Sequence, residues 1–432
     1  MIEMITSHNP QSPRPSATAY PSPQSLPPLI IAELGTGHGG DLVKARELIR
    51  AAAEAGANCI KLQMVFADEI LHPHTGEVTL PGGAIRLYDR FRQLEQAPEF
   101  YAELKEYIES MGLLFLCTPF GLKSARLLRE LQPKIVKIAS PELNFTGLLQ
   151  EVAAWNLPVL LSTGVSTLGD IEQALGILGT RDWGLGTRDC CLMKKNTSGQ
   201  SSYTSDYDNT SNIHPNTSNQ SPQSPVPSPQ SLSSPHSLLH CVTAYPAPET
   251  DYNLRVLQSL SAVFGVSVGV SDHSLDPELV PVLAMTQGAT VIEKHFCLSR
   301  DDPGLDDPIA LPPADFARMT AAVRRAAEMG PEETLAAFRR ERGAATVEAV
   351  LGNGIKTLAP SEQCNYTRTN RSIHALRDIQ AGEILSAEDF AVLRTEKVLR
   401  PGLAPSWAAQ MCGRAARQFI PAGEGIRFED IC

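Results

Sequence analysis

The feature that most constrains the fold of this chain is a series of eight short apolar segments between Leu29 and His295. Each is four to seven residues long, often β-branched, and apolar without alternation, which is typical of strands buried on both faces. Amphipathic stretches with helical spacing separate most of them, as in DLVKARELIRAAAEAGA after the first. The repeated strand–helix pattern predicts an α/β fold, specifically a (β/α)8 TIM barrel. The segments read LIIAE, NCIKLQ, LLFLCT, IVKIAS, PVLLST, LLHCVT, VSVGVSD and TVIEKH.

Composition narrows the class of protein. The chain has 432 residues and a formal net charge of −11, which argues against a nucleic-acid-binding surface. No apolar run reaches the roughly 18 to 20 residues that a membrane span requires. The N-terminus lacks an apolar signal core, and cysteines lie inside apolar runs as reduced buried residues do. We therefore expect a cytoplasmic protein that binds neither nucleic acid nor membrane.

The chain divides into segments of different composition. Residues 1–28 and about 181–237 are rich in Pro, Ser and other polar residues, so we predict a disordered tail and a low-complexity insertion. The barrel is predicted over 29–330, followed by a polar linker over 331–370. The last segment, 371–432, contains an internal echo, DIQAGEILSAEDF and FIPAGEGIRFEDI, which predicts a small module of two similar halves.

The apolar segments share a second property, because each ends in polar or ionisable residues. The C-terminal ends of barrel strands face the active site in such folds, and buried polar groups need partners. Their common position therefore predicts one shared site. The residues are Glu33, Lys61, Gln63, Thr118, Lys137, Ser140, Ser162, Thr163, His240, Thr243, Asp272, His273, Glu293 and His295.

Two histidines at neighbouring strand ends suggest a metal site. His273 ends the seventh segment and His295 the eighth, and neighbouring strands lie about 5 Å apart. Two imidazoles with water and substrate oxygens suit Mn²⁺, Zn²⁺ or a similar divalent ion, with Asp272 and Glu293 orienting the rings. The alternative is a pair of unrelated core histidines.

Two lysines inside apolar segments suggest an anion site. Lys61 and Lys137 occupy positions where an unpaired ammonium is costly to bury, and a phosphate or carboxylate between them would offset their repulsion. Alternatively, either lysine pairs with Glu33 or Glu142, or one acts as a Schiff-base nucleophile. Hydroxyl groups at the same level would add donors, namely Thr118, Ser140 and Ser162.

The ordered motifs resemble those of the sialic acid synthase family, which includes N-acetylneuraminate, legionaminate and pseudaminate synthases. They read IIAELGTGHGGDLVKARELI, IKLQ, CTPF, KIASPE, LLSTG, LLHCVTAYPAPE, GVSDHS and EKHF. The terminal AGEILSAEDF and LRPGLAP resemble the family's antifreeze-like SAF domain. The resemblance covers nearly the whole chain outside the N-terminal tail and the insertion.

The resemblance implies a reaction. Such enzymes condense phosphoenolpyruvate with an N-acylated amino-sugar aldehyde, such as N-acetylmannosamine, to a nine-carbon 2-keto sugar acid and phosphate. Their products enter surface polysaccharides or glycans. The family uses a divalent metal ion, with Mn²⁺ expected here and Mg²⁺ or another ion as alternatives. A domain-swapped homodimer is also implied, in which Arg400 of the LRPG motif reaches the partner subunit's site and contacts the acyl group.

The resemblance also assigns roles to single residues. His273 and His295 would be the metal ligands, and Glu33 would carry a proton. The remaining assignments are substrate contacts: Lys61, Thr118, Lys137, Ser140 and Ser162 for phosphoenolpyruvate, Gln63 beside them, and Glu33, Thr243, Tyr245 and Asp306 for the sugar or intermediate.

Departures from the family pattern keep alternatives open. The chain has Gly37-His38-Gly39-Gly40 where NHNG is usual. This difference and the polar insertion motivate one alternative, a non-catalytic barrel that serves as a scaffold or binding protein. Another is a different phosphoenolpyruvate-condensing enzyme that makes a shorter keto-sugar acid, although the SAF-like module argues against it.

Overall fold

The structure is a computed structural model that describes residues 27–80, 83–179, 236–396 and 398–432. The predicted tail and most of the predicted insertion lie outside the described residues. Eight strands form the centre of the molecule, and each overlaps one of the predicted apolar segments. Their bounds are β1 Leu29–Gly35, β2 Cys59–Met64, β3 Leu114–Pro119, β4 Val136–Ile138, β5 Val159–Ser162, β6 His236–Cys241, β7 Ser267–Asp272 and β8 Val291–His295.

These strands form one parallel sheet in the order β3-β2-β1-β8-β7-β6-β5-β4, an almost closed barrel that confirms the predicted fold class. The strand register places several predicted site residues at the same height in the barrel, because Glu33 pairs with both His295 on β8 and Lys61 on β2. Inside the barrel, Leu29 and Ile31 belong to an apolar cluster. Since alternate residues of a strand face the same side, Glu33 follows them into the barrel interior as its first polar layer.

A helix follows each barrel strand. Helix α1 shows why these segments are helical, since the Asp41 side chain accepts hydrogen bonds from the amides of Val43 and Lys44. Such a cap contributes about 1 kcal/mol, and the apolar face of the helix is buried. The bounds are α1 Leu42–Glu54, α2 Pro98–Ser110, α3 Leu122–Glu130, α4 Thr146–Ala153, α5 Leu168–Leu178, α6 Val256–Phe264, α7 Leu279–Thr286 and α8 Pro313–Met329.

The long loop between β2 and α2 contains additional short helices and a hairpin. It contains the short helices Ala67–Ile70 and Leu87–Gln93. Between them lies an antiparallel hairpin of Glu77–Leu80 and Gly83–Arg86. Residues Leu87 and Phe91 of the second helix line the cavity described below. This long loop therefore supplies one side of the site.

The segment predicted as a polar linker contains two helices, Pro331–Arg342 and Ala344–Leu351. Phe338, Val347 and Val350 of these helices are buried in the main core. The many charged residues around them hide this apolar spacing in the sequence. A 3-10 turn, Pro360–Asn365, follows and lies over the barrel.

The C-terminal module has its own small core. It is built on an antiparallel pair, β9 Arg371–Ala375 and β10 Phe390–Arg394, with a short helix, Ala408–Met411. The two halves of the sequence echo pair with each other, because Ile379 and Ile420 exchange two backbone hydrogen bonds of 2.9 Å. Within the described ranges, no helix has the length and apolarity needed to span a membrane.

Candidate active site

A cavity of about 370 Å³ opens at the C-terminal ends of the barrel strands. The loops after the strands and part of the C-terminal module enclose it, as expected for a TIM-barrel active site. Three of the predicted strand-end residues, Thr163, His240 and Asp272, do not line it. The predicted residues that line it are Glu33, Lys61, Gln63, Thr118, Lys137, Ser140, Ser162, Thr243, Tyr245, His273, Glu293, His295 and Asp306.

Lys61 lies between two buried carboxylates. Its ammonium is 2.7 Å from Glu293 Oε1 and 3.2 Å from Glu33 Oε2, so the alternative of a paired lysine is realised for this residue. Burial alone would lower the pKa of Lys61, but the two carboxylates outweigh burial and raise it. Lys61 is therefore a permanent cation within the cavity wall.

The two carboxylates beside Lys61 differ in their proton affinity. Burial raises the pKa of Glu33 to about 7, against the opposing charge of Lys61, and Gln63 donates a hydrogen bond of 2.5 Å to it. Burial also acts on Glu293, but Lys137 and Lys61 outweigh it and lower its pKa to about 2. Glu33 can therefore gain or lose a proton near neutral pH, whereas Glu293 stays ionised.

Lys137 is held mainly by neutral groups. Its ammonium donates to Ser162 Oγ at 2.6 Å and to the Ile138 carbonyl at 3.1 Å, while Glu293 Oε1 is 4.0 Å away. Burial lowers the pKa of Lys137 to about 8. The alternative pairing of this lysine with Glu142 is wrong, because Glu142 binds arginines of the C-terminal module. Lys137 is thus available to an incoming anion.

Hydroxyl groups complete this side of the cavity. The buried Oγ1 atoms of Thr118 and Thr243 have no hydrogen-bond partner among the described residues. Ser140 Oγ accepts a hydrogen bond of 3.0 Å from the Gly164 amide. A buried hydroxyl without a partner costs free energy, so the two threonines are ready to bind a polar ligand.

The two histidines line the cavity side by side, with ring centroids 5.4 Å apart. His273 Nδ1 lies 2.8 Å from the Val242 carbonyl, which can only accept, so Nδ1 carries a proton. Burial alone would lower the pKa of His273, but the neighbouring Cys241 outweighs burial and raises it, so a metal ion would have to displace a proton from Nε2 when the ring is charged. Burial and the nearby His273 hold the pKa of His295 well below its usual value. The Tyr245 ring stacks on His273 at 4.2 Å. A neutral imidazole with a free nitrogen is the form that binds metal.

The donor set fits a divalent ion only in part. His295 Nδ1 is 3.8 Å from Asp306 Oδ2, which places one carboxylate beside the imidazole pair. Among the described residues, no group of three or more His, Cys, Asp or Glu side chains is arranged to hold a metal. Water and substrate oxygens would therefore have to complete the coordination shell, as Mn²⁺ and similar ions accept.

The expected orienting role of Asp272 and Glu293 toward the histidines is wrong. Asp272 Oδ2 pairs instead with Lys294 at 2.6 Å in a buried ion pair, and Glu293 pairs with Lys61. The backbone amide of His273 donates to the Tyr252 hydroxyl at 2.6 Å. Backbone contacts and an aromatic ring therefore hold His273, and the acidic neighbours neutralise lysines.

An arginine that the sequence analysis missed lies at the cavity rim. Arg394, at the end of β10, lines the cavity and binds Glu142 Oε1 through Nε at 3.0 Å and through its terminal nitrogen at 2.7 Å. The fully buried Arg371 also binds this carboxylate, at 2.9 Å. In contrast, Arg400 binds Asp430 at 2.6 Å and the Gly425 carbonyl at 3.0 Å. Arg400 thus lies outside this chain's cavity, and its contact with a partner subunit stays a prediction.

Comparison with known proteins agrees with this architecture. The model of the NeuB family matches residues 48–333, and the SAF domain model matches residues 370–431. The chain belongs to the NeuB family. It is 31% identical to the spore coat polysaccharide biosynthesis protein SpsE of Bacillus subtilis, with 94% of each chain covered. It is 30% identical to the N,N'-diacetyllegionaminic acid synthase of Legionella pneumophila, covering 95% of this chain and 96% of the relative.

Solved structures of NeuB relatives share the fold. The crystal structure of SpsE from Bacillus subtilis superimposes with a TM-score of 0.67 at 30% identity, over 94% of this chain and 95% of SpsE. The N-acetylneuraminic acid synthetase of Leptospira borgpetersenii, solved in complex with citrate, gives a TM-score of 0.54 at 27% identity. That match covers 75% of this chain and 94% of the synthetase.

The altered loop of this NeuB-family chain lies behind the cavity wall. His38 is buried, packs on Phe100 with ring centroids 4.8 Å apart, and accepts a hydrogen bond of 3.0 Å from the Gly40 amide. Gly39 and Gly40 have φ values of +59° and +86°, which glycine adopts without strain. None of these loop residues lines the described cavity, so the GHGG sequence contributes no side chain to it.

Proposed function

We propose that this NeuB-family protein is a sialic-acid-type synthase. It condenses phosphoenolpyruvate with an N-acylated amino-sugar aldehyde, giving a nine-carbon 2-keto sugar acid and phosphate for a surface polysaccharide or another glycan. The observation that carries the proposal is one cavity that joins two buried lysines to two neighbouring imidazoles. Family relatives named as acid synthases support the same reaction class.

The lysine side of the cavity suits phosphoenolpyruvate. The ammonium of Lys137 faces neutral partners, so a phosphate or carboxylate would gain a charge-assisted bond there. Lys61 adds a second cation, and Thr118 adds a hydroxyl that has no hydrogen-bond partner among the residues that the structure describes. Ser140 and Ser162 lie at the same level. These groups would neutralise the anion and fix the direction of its enol carbon.

The histidine side suits the aldehyde. A divalent ion, with Mn²⁺ as the first candidate, would be held by His273 and His295 and would supply Lewis-acid polarisation of the carbonyl. Thr243 lines the same cavity with a hydroxyl that lacks a partner in the described part of the chain, and Tyr245 packs on His273. Asp306 lies at the mouth beside His295. These side chains would bind sugar hydroxyls and set the angle of the aldehyde.

The reaction balances with one water molecule. The enol carbon of phosphoenolpyruvate bonds to the aldehyde carbon, water adds to the neighbouring carbon, and phosphate leaves as the C–O bond breaks. The water loses both of its protons as its oxygen becomes the keto oxygen: one goes to the new hydroxyl and the other to the departing phosphate. Because burial raises its pKa to about 7, the Glu33 carboxyl would hold and move one of these protons at neutral pH.

The test is phosphate release by the purified protein with phosphoenolpyruvate, Mn²⁺ and a panel of aldehydes. We expect release with N-acetylmannosamine or a bacterial 2,4-diacetamido sugar, and none without sugar. Release only with shorter sugar aldehydes would favour a different keto-sugar-acid synthase. No phosphate release with any sugar, together with measurable metal binding, would favour the scaffold alternative. Mass spectrometry of the product should give the mass of the condensation product after loss of phosphate.

A further inference from the structure

A single carboxylate from the segment before the C-terminal module connects two active-site strands. Glu362 Oε2 accepts hydrogen bonds of 2.9 Å from the amides of Val165 and Thr243, which follow β5 and β6. Its Oε1 accepts from the Ala359 amide at 3.1 Å. The side chain is 1% exposed. A buried carboxylate that accepts three N–H groups holds those groups strongly.

Three neighbouring side chains bind the same two turns. We call residues 356–370 the strap, because this segment crosses the C-terminal ends of β5 and β6. Its side chains donate hydrogen bonds to backbone carbonyls in the turns after β5 and β6, whereas Glu362 accepts hydrogen bonds from backbone amides in the same turns. One segment therefore binds both the donors and the acceptors of these two turns. These bonds run from Lys356 Nζ to Thr163 O at 3.0 Å, from Asn365 Nδ2 to Thr243 O at 2.8 Å, and from Asn370 Nδ2 to Val165 O at 3.1 Å.

Val165 shows why the strap is needed. Its φ is +41°, a left-handed conformation that a β-branched residue adopts only under constraint. Glu362 binds its amide and Asn370 binds its carbonyl, so both backbone groups of the strained residue are fixed by the strap. The preceding Gly164 donates to Ser140 Oγ at 3.0 Å. The turn therefore stands directly against the cavity wall.

We propose that Glu362 is a positioning residue through which the strap sets the geometry of the sugar-facing side of the active site. It fixes the amide of Thr243, whose hydroxyl has no partner within the described part of the chain and lines the cavity. Glu362 itself does not line that cavity. This inference rests on the proposed function for its kinetic consequence, but not for the contacts it assigns.

The phosphoenolpyruvate side has its own supports. Lys61 is fixed by Glu33 and Glu293, and Lys137 by Ser162 and the Ile138 carbonyl. None of these contacts involves Glu362, and the strap reaches the phosphoenolpyruvate side only through the Gly164 amide, which donates to Ser140 Oγ at 3.0 Å. Loss of the Glu362 carboxylate should therefore disturb the aldehyde more than phosphoenolpyruvate, which a general loss of folding would not do.

The test is Glu362→Leu, which keeps similar bulk but removes both acceptor oxygens; a glutamine could keep its carbonyl oxygen at the Oε2 position, which serves both turns. A small displacement of a positioned group can reduce turnover roughly 100-fold, and we expect a loss of that order in kcat/KM for the sugar. The KM for phosphoenolpyruvate should change less than about 3-fold, since its lysines keep their partners. Glu348→Leu is the matched control, because Glu348 forms exposed ion pairs with Arg255 and Arg339.

A second variant addresses the strained turn. Val165→Gly removes the conformational penalty at φ +41°, so in the Glu362→Leu background it should restore part of the lost kcat/KM for the sugar. Unchanged sugar kinetics in Glu362→Leu would overturn the inference. So would an equal rise in both KM values, or a loss of activity in proportion to the loss of folded protein by thermal melting.

Amide hydrogen exchange provides a readout that does not depend on the reaction. Glu362→Leu should increase exchange in peptides that contain Val165 and Thr243, and should leave peptides around Lys61 unchanged. Wild-type protein without turnover on any sugar would count against the proposed function alone. In that case the exchange measurement still tests whether Glu362 fixes the two turns, because unchanged exchange at both turns would refute the positioning role.

Discussion

The floor and the rim of the cavity are built in different ways. The floor consists of residues at the barrel strand ends, such as Glu33, Lys61 and His295, which the parallel register places side by side. The rim comes from the C-terminal part of the chain, including Thr369 and Arg394. Floor side chains are buried and hold one another by charge, whereas Arg394 of the rim comes from the C-terminal module and is held by Glu142 of the barrel. Under the proposed function, we expect the floor to carry the reaction and the rim to influence the choice of sugar.

One buried carboxylate connects the two regions. Glu142 is fully buried and binds Arg371 and Arg394 through Oε1. Removing one partner of a buried ion pair is costly because the remaining charge is left uncompensated. Glu142 retains one arginine if the other is replaced, so the rim can be altered while the barrel and the C-terminal module stay docked.

The largest effect should follow from removing a floor imidazole. His273→Ala deletes one of the two rings proposed to hold the metal, and loss of the ion's contribution of several kcal/mol predicts a decrease in kcat of roughly 1000-fold or more. Phosphate release during a Mn²⁺ titration measures it. His74→Ala, in an exposed loop, is the control and should keep wild-type turnover. Full metal-dependent activity in His273→Ala would refute the ligand assignment.

The next effect concerns the floor lysine without a close carboxylate. Lys137→Met should lower kcat/KM for phosphoenolpyruvate roughly 100-fold, since loss of a buried charge contact costs a few kcal/mol. Lys134→Met is the matched control, because Lys134 is 65% exposed and pairs with Glu109. Wild-type phosphoenolpyruvate kinetics in Lys137→Met would show that this ammonium does not bind the anion.

The same lysine predicts a pH dependence. Its pKa is lowered from 10.5 to about 8, so the cation is present below pH 8 and is lost as the pH rises through that value. The kcat/KM for phosphoenolpyruvate should therefore fall above about pH 8, as it reports the free enzyme. Lys137→Arg should remove this alkaline decrease, because a guanidinium stays charged. An identical alkaline decrease in that variant would assign the ionisation to another group.

The sequence revealed the floor better than the rim for a physical reason. An apolar strand that ends in a polar residue is a local pattern, and the barrel brings all such ends together. Asp272 was misjudged because its partner Lys294 lies on the next strand and is buried with it. The strap was expected to be a plain linker, because capping by Glu362 joins residues more than 100 positions apart. No local spacing encodes such contacts.

Arg394 also lacks a local sequence signal, because its partner Glu142 is about 250 positions away. Arg400 was predicted to contact the sugar because it lies in the recognisable LRPG motif. The smallest expected effect separates these two arginines. Arg394→Ala removes a charged donor from the rim while Arg371 keeps Glu142 paired, so the fold should persist. We expect the KM for the sugar to rise about 10-fold, as for loss of one charge-assisted hydrogen bond, with little change for phosphoenolpyruvate.

Arg400→Ala should instead reduce the stability of the C-terminal module by roughly 1 kcal/mol, since its side chain is 31% exposed and pairs with Asp430. Its sugar kinetics should stay close to wild type. The opposite result, a raised sugar KM in Arg400→Ala alone, would support the domain-swapped homodimer implied by family resemblance. Mixing Arg400→Ala with Lys137→Met subunits would then restore activity, because one hybrid site would contain both intact residues. Without such restoration, the rim arginine that acts on the sugar is Arg394 of the same chain, and each subunit completes its own site.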